Sequence, residues 1–565
     1  MKINKLVLGL GLVSIAFTGC KSTQVATTKT KATATIPAML TATDAIVAKK
    51  GIMTPAEIKA WPHMDIFKDS VPGISLERAY DFVKGKKATM VIVGIIDSGV
   101  DVEHEDLKDV VWTNPNEIAG NGIDDDKNGY IDDMHGWNFL GGEKGALAPE
   151  QLEVTRLYKA AKVRFEGKTI TEVAATDKAD FEMYQELKEV YLKKAAGGIE
   201  TLDRMNFLMD AITSIKSYLG KEDFNLSDVT TIKTEDTKLG EQVAAITAIY
   251  GRGVSEKQIS DYRESLLSNK QYDLDFNGRV TGDDANDWST KSYGNNNVIG
   301  GGKDELHGTH VAGIVAASRN NGIGMNGVAE NVQIMTVRAV PDGDEYDKDV
   351  ALAIRYVVDN GAKVVNMSFG KAYSPHSKWV YDAMKYAEKH DVLLVKAAGN
   401  NGEDIDLPSY VHFPTDSPVK GSLEIVDNIL TVGAMTRHFD ENLCSSFSNY
   451  GKTRVDIFAP GSEIYSTVPK DNGYLSIQGT SMASPEVAGV AALVRSYYPS
   501  LTAPQVKYII INSGIEFNRE VIIPGTKSKE NKEGTRTNFN DLSVNGRILN
   551  AYNALVMADI MVNGK

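Results

Sequence analysis

Three side chains able to act together in acyl transfer stand far apart along this chain. Ser481 lies in Gly479-Thr480-Ser481-Met482-Ala483-Ser484-Pro485, ahead of an apolar run from Val487 to Val494 rich in Ala and Gly. That run reads as a buried helix, and Pro485, which has no N–H to give, belongs in its first turn. Ser481 is therefore expected where a loop becomes a helix, with its own N–H among the helix's unpaired donors. The partial positive charge of a helix start suits a developing oxyanion. The plainer alternative is a Ser that only caps the helix. Asp97, in Asp97-Ser98-Gly99-Val100, and His307, in His307-Gly308-Thr309-His310-Val311-Ala312-Gly313, complete the set. A hydroxyl, a base to take its proton and a carboxylate to orient that base make a nucleophilic triad. Read one at a time, a turn Asp and a core His are equally good accounts of the other two.

The elements that must hold these residues follow from the apolar runs. Ala88 to Ile96 is a continuous β-branched run, as in a strand buried on both faces of a parallel sheet. Asp97 ends it, at the strand end where open α/β sheets carry their sites. Val332–Val340, Val364–Gly370 and Val392–Asn400 are further strand candidates, and Trp379–His390 has helical spacing. His307 opens a small-residue segment, with Gly308, Ala312 and Gly313 allowing close packing. Strands alternating with helices predict a three-layer, doubly wound, mostly parallel α/β sheet.

Ile96-Asp97-Ser98-Gly99, the His307–Gly313 stretch and the Gly479–Pro485 stretch, in that order, resemble the three signatures of the subtilisin-like serine proteases, or subtilases. The resemblance covers about residues 62–140 and 296–560. It implies that Ser481 is the nucleophile, His307 the general base and acid, and Asp97 the group that holds the imidazole. Asn400, in Ala397-Ala398-Gly399-Asn400, matches the oxyanion Asn of the family, donating beside the Ser481 N–H. Ser368-Phe369-Gly370 matches the strand that pairs with substrate backbone, so a peptide docks by strand addition. Ala398 and Gly399 match a wall of the first specificity pocket, with His412 near its base, and His310 is taken as structural. No cofactor for catalysis is implied, and the partner is a protein or peptide substrate.

One departure from the family is large. Asp97 and His307 lie 210 positions apart, where simple members have a few tens. Residues 141–295 are read as a mainly helical insertion, with helical period over 150–165, 179–194, 201–219, 235–250 and 256–267. Its role is open between a decorative subdomain, a lid, an exosite and a built-in folding aid. Two acidic loops bracket it. Asp124, Asp126 and Asn128 alternate ahead of Gly129, with Asp132 further on, and Asp273, Asp275 and Asn277 alternate ahead of Gly278, with Asp284 at the twelfth position. Both resemble Ca²⁺ loops of EF-hand type lacking the last-position Glu. Structural Ca²⁺ is therefore expected, with Asp124, Asp126, Asn128 and Asp132 as ligands, and a polar turn is the alternative.

Composition sets the remaining bounds. The chain has 565 residues, 42% hydrophobic and 24% charged, ordinary for a globular protein with a large core. A net charge of −14 argues against a nucleic-acid partner. Lys2 and Lys5 precede the apolar stretch Leu6–Phe17, too short to span a bilayer, and Thr18-Gly19-Cys20 follows. This resembles the lipobox of bacterial lipoproteins. It implies cleavage before Cys20 and lipid on its thiol, and hence a protein anchored to a membrane of the cell envelope, facing the periplasm or the exterior. An ordinary signal peptide is the alternative. The only other cysteine, Cys444, reads as a packing residue. The expected organisation is a signal peptide at 1–20, a tether at 21–60, and a catalytic domain at 61–140 and 296–565 interrupted by the insertion. Three other readings compete with a lipid-anchored endopeptidase: a catalytically weak peptide-binding pseudoprotease, an esterase, and a structural lipoprotein with an incidental triad.

Overall fold

The computed structural model describes residues 38–41, 46, 48–142, 145–146, 149–300, 305–417 and 424–564. Cys20 and the signal-peptide reading lie outside them. The first strand, β1 (Val91–Asp97), carries no charge until its last residue and is buried along nearly its whole length. A short edge strand, β2 (Gly136–Asn138), precedes the insertion, whose four main helices are α1 (Glu153–Phe165), α2 (Lys178–Leu219), α3 (Thr237–Tyr250) and α4 (Glu256–Ser268). The chain then alternates: α5 (Leu306–Ala316), β3 (Val332–Arg338), α6 (Asp347–Asp359), β4 (Val364–Met367), α7 (Ser377–Lys389), β5 (Leu393–Ala397), β6 (Ile429–Met435) and β7 (Ile457–Pro460). A hairpin of β8 (Ile464–Val468) and β9 (Gly473–Ile477) leads into α8 (Thr480–Tyr497) and α9 (Ala503–Ser513). Two short strands, β10 (Ile515–Glu516) and β11 (Arg547–Ile548), and α10 (Ala551–Asn563) finish the chain.

Among the described residues nine strands form one sheet in the order β10-β11-β7-β6-β5-β4-β1-β3-β2. Every pairing is parallel except β10 with β11. The chain winds outward from β1 to one side through β3 and to the other through β4, so the carboxyl end of β1 sits where the winding reverses, the usual ligand crevice of such sheets. Alternate residues of β1 face opposite layers. Ile96 packs with Val350, Val357 and Met384 of α6 and α7. The other face is covered by α5 and α8, and α8 has buried residues all round from Met482 to Ser496. A helix buried on every side is stable only inside a layer, which is why α8 is mostly small and apolar, with Glu486 and Arg495 as its charged exceptions. The three-layer α/β expectation holds.

Two local expectations need correcting. The helix of α8 begins at Thr480, so Pro485 lies inside it, in the second turn. In the insertion, the segments read separately as 179–194 and 201–219 are one 42-residue helix, α2. Gly197 and Gly198 run through it without breaking it, because both ends are fixed by packing. One end packs through Phe181, Tyr184 and Leu187, the other through Leu208, Ile212 and Ile215. Tertiary burial outweighs a glycine cost of about 1 kcal/mol per residue. Order also starts earlier than Trp61. Thr54 and Glu57 form a capping box on a helix Pro55–Ala60, and the Leu40 N–H donates to Asn553 Oδ1 at 2.7 Å. The tether reading over 21–60 therefore fails for its C-terminal part.

The insertion leaves and re-enters the sheet at one point. Asn138 and Asn295 exchange both backbone hydrogen bonds, at 2.9 and 3.1 Å. It is also tied to the sheet's helices by Arg279 with Asp349 and by a stack of Trp288 on Trp379, ring centroids 5.0 Å apart.

Candidate active site

Asp97 is carried to the carboxyl end of β1, and its carboxylate is buried. His307 is the second residue of α5. The two meet because of the residue between His307 and the rest of its helix. A Cβ on Gly308 would stand 2.0 Å from the Gly99 carbonyl oxygen and 3.2 Å from the Asp97 Cβ. Only glycine lets α5 approach the Asp97 turn this closely. His307 Nδ1 then lies 2.6 Å from Asp97 Oδ1, which also accepts the Ser98 N–H at 2.8 Å. Burial alone would lower the His307 pKa, but the Asp97 charge outweighs it and holds the imidazole above its ordinary value. The carboxylate keeps the proton on Nδ1, leaving Nε2 as the acceptor.

Ser481 is the second residue of α8. Pro485, four residues on, has no N–H, so the Ser481 carbonyl has no helical partner. The Ser368 hydroxyl supplies one, donating to Ser481 O at 2.8 Å. Ser368 is fixed in turn by the Asn366 amide at 2.9 Å, and Asn366 Oδ1 accepts from Ser484 Oγ at 2.7 Å. The proline thus couples the nucleophile's turn to the strand exit at Ser368. Ser481 Oγ itself donates to the Ser368 carbonyl at 3.1 Å.

Asn400 follows β5 and is exposed. Its Oδ1 accepts from the Thr480 N–H at 2.8 Å and the Thr480 hydroxyl at 2.9 Å. That turns Nδ2 outward as a free donor. Nδ2 and the Ser481 nitrogen lie 3.5 and 3.6 Å from where a Cβ of Gly479 would stand. Two donors therefore border the same space beside the nucleophile, an arrangement suited to an oxyanion. The Thr480 hydroxyl also accepts the Gly399 N–H at 3.1 Å, so one side chain sets both Asn400 and Gly399.

Ser368-Phe369-Gly370 and Ala398-Gly399 leave adjacent strands, β4 and β5. His412 is wedged between them. A Cβ on Gly370 would fall 2.1 Å from its Cε1, and one on Gly399 3.0 Å from its Nε2. Burial drives the His412 pKa down to about 3, helped by Lys396, so the ring is neutral. It spaces the two strands and places no charge between them. His310 is structural in the same sense. Its Nε2 meets the Ile464 and Leu475 carbonyls, each at 3.0 Å, pinning the β8–β9 hairpin, and burial lowers its pKa to about 4. Cys444 is buried and its thiol pushed up by burial, which leaves it inert.

The acidic loops differ from each other. Asp124 and Asp126 come together, and Glu117 joins them. Among the described residues these three alone place carboxylate oxygens within 4.8 Å of one another. Asp132 is turned away, its oxygens accepting the N–H groups of Asn121 and Gly122 at 3.1 and 2.9 Å. Asn128 directs its amide to Asp126 and Asp133. Glu117 escaped the sequence reading because it precedes the alternating pattern. In the second loop Asp273 pairs with Lys270 at 3.1 Å, and Asp284 closes its own turn by accepting the Asn286 N–H. No carboxylate trio gathers there among the described residues.

The fold and site define a class, and comparison with known proteins gives the same one. A family profile described as the Subtilase family matches residues 88–546, so the chain belongs to that family. It is 42% identical over 191 residues to a thermophilic serine proteinase of Bacillus sp. (strain AK1), an alignment covering 34% of this chain and 42% of that protein. Over 191 residues it is 39% identical to thermitase of Thermoactinomyces vulgaris, covering 34% and 61%. Subtilisin DY of Bacillus licheniformis is 37% identical over 202 residues, covering 36% and 67%. The chain thus spans less than half of the first of these relatives.

Proposed function

We propose that this chain is a serine endopeptidase held at the cell envelope by lipid on Cys20. The observation that carries the catalytic part is the Asp97–His307 contact at 2.6 Å in the same cleft as Ser481 and the outward amide of Asn400. For the reaction Ser481 Oγ must leave the Ser368 carbonyl and engage His307 Nε2, and catalytic hydrogen bonds of this kind commonly tighten only when a substrate arrives. Ser481 Oγ then attacks the peptide carbonyl as Nε2 takes its proton, and Asp97 stabilises the imidazolium. The Asn400 amide and the Ser481 N–H receive the oxyanion. His307 returns the proton to the leaving amine, and water repeats the sequence to release the acyl group. A pseudoprotease or a structural lipoprotein has no use for this proton path.

Fluorophosphonate labelling tests the nucleophile, and a casein digest separates a peptidase from an esterase. Ser481→Ala is expected to lose both signals while keeping its melting temperature. Normal digestion by the variant would remove the triad assignment. For the anchor, Cys20→Ser is expected to move the protein into the soluble fraction with activity intact. A variant still membrane-bound after a high-salt wash would count against the lipid.

Structural Ca²⁺ is proposed at Glu117, Asp124 and Asp126, whose hard oxygen donors suit it. Three carboxylates this close repel one another without a cation. A bound ion stabilises the native state by mass action, so a chelator is expected to lower the melting temperature and Asp126→Ala to abolish that response. Indifference to chelator and to added Ca²⁺ would dismiss the site.

A further inference from the structure

The insertion reaches the catalytic cleft. A cavity of about 770 Å³ is lined on one side by Asp97, His307 and Ser368 and on the other by helix α4. Helix α4 has two faces. Glu256, Ile259, Arg263 and Leu266 recur at helical spacing and are buried or half-buried. Ile259 sits in the insertion's own core, Glu256 pairs with Lys216 at 2.9 Å, and Arg263 donates to Asn206 at 2.6 Å. The other stripe, Asp261, Glu264, Ser265 and Ser268, has i, i+3, i+4, i+7 spacing and is exposed into the cavity. Ser265 and Ser268 fold their hydroxyls back onto helix carbonyls. The groups that project are therefore the two carboxylates.

Helix α4 is fastened where it lies. Gln271, just past its end, accepts the Leu152 N–H at 3.1 Å and the Thr155 hydroxyl at 2.6 Å from α1. Its side-chain amide reaches Asp342, at the exit of β3, at 3.4 Å. Asp342 lines the cavity as well. Arg338, the cation opposite, is buried with its Nε donating to Ser98 O at 2.7 Å. Lys257 pairs with Asp261 at 2.6 Å, but both are exposed, and solvent screening leaves such i, i+4 pairs weak. A substrate cation can displace it.

We propose that helix α4 is a specificity wall of the catalytic cleft, and that Asp261 and Glu264 select substrates carrying Lys or Arg close to the scissile bond. The inference rests on the proteolytic reading above and names its substrate class. Low-dielectric walls on both sides of a cleft focus the field of such charges.

The test is a fluorogenic peptide library varied at each position flanking the cleaved bond, run beside fluorophosphonate labelling. The wild-type protein is expected to favour basic over neutral side chains at one or more of those positions. Asp261→Lys with Glu264→Lys is expected to lower the basic-to-neutral ratio of kcat/KM at least about tenfold. The milder pair Asp261→Asn with Glu264→Gln keeps helix propensity and is expected to lower it in the same direction. Raising the salt from about 0.05 to 0.5 M should also shrink the wild-type ratio, because these charges are exposed. A labelled enzyme with no basic preference, or a preference the charge variants leave unchanged, would overturn this inference alone. An unlabelled protein would overturn the proteolytic reading and this inference with it.

Discussion

Asn400 is the residue whose role is set most fully by its neighbours. Thr480 takes both acceptor positions of its Oδ1 and leaves one donor facing the nucleophile. In the proposed mechanism that donor meets the substrate oxygen as negative charge forms on it. Asn400→Ala is therefore expected to lower kcat by about 10²–10³ with little change in KM. A change confined to KM would make Asn400 a ground-state binding residue instead. At this scale the sequence was informative. The triad and Asn400 sit in short motifs whose glycines and proline carry physical meaning, and Gly308 is the means by which His307 reaches Asp97. What escaped is side-chain traffic between distant segments. Nothing local to Ser368 says that its hydroxyl replaces the hydrogen bond Pro485 cannot make. Nothing local to Glu117 says that it joins Asp124 and Asp126.

Elements explain how a long insertion is tolerated beside a catalytic edge. Lys371, directly after Ser368-Phe369-Gly370, is buried and pairs with Glu153 of α1 at 2.7 Å and with Asp347 of α6 at 3.0 Å. Its ammonium also donates to the Glu345 carbonyl at 2.8 Å. One ammonium thus locks the chain leaving β4 to the first helix of the insertion. Lys371→Ala would leave buried Asp347 without this cation and Glu153 with Arg156 alone, and breaking such a buried pair typically costs about 3–5 kcal/mol. Chemical denaturation should show a loss of that size, and a variant within about 0.5 kcal/mol of wild type would mean that water or Arg156 replaces the lysine. The alternation of strands and helices was legible because each β-strand is a continuous apolar run. The docking of the insertion was not, since it runs through single charged residues such as Glu153, Arg279 and Lys371. Their chain neighbours carry no sign of the partner.

Across the whole molecule, buried ionisable groups set how stability responds to pH. His63, His310 and His412 are held neutral by burial, with pKa values of about 3, 4 and 3. The unfolded chain binds their protons first as pH falls below about 6.5, so these residues favour the native state increasingly up to that pH and add nothing beyond it. Buried carboxyls act the other way. Burial raises Asp456 to about 7, Glu345 to about 8, and Glu486 well above its ordinary value. The native state then holds protons that the unfolded chain has released, so stability falls as pH rises through this range. Below about pH 6.5 the two sets oppose each other, and above it only the carboxyls remain among these groups. Stability should therefore decline between about pH 6.5 and 8. Glu486 lies on α8, five residues beyond Ser481, and its Oε2 meets no hydrogen-bond partner among the described residues. While it stays protonated in the native state and ionised in the unfolded chain, it makes stability fall as pH rises. Glu486→Gln removes the ionisation while keeping the shape. The variant's denaturation free energy is expected to vary less than the wild type's between pH 6.5 and 8, whatever its absolute value at either pH. An unchanged pH dependence would place the release of the Glu486 proton outside the folding equilibrium and leave Asp456 and Glu345 to account for the decline.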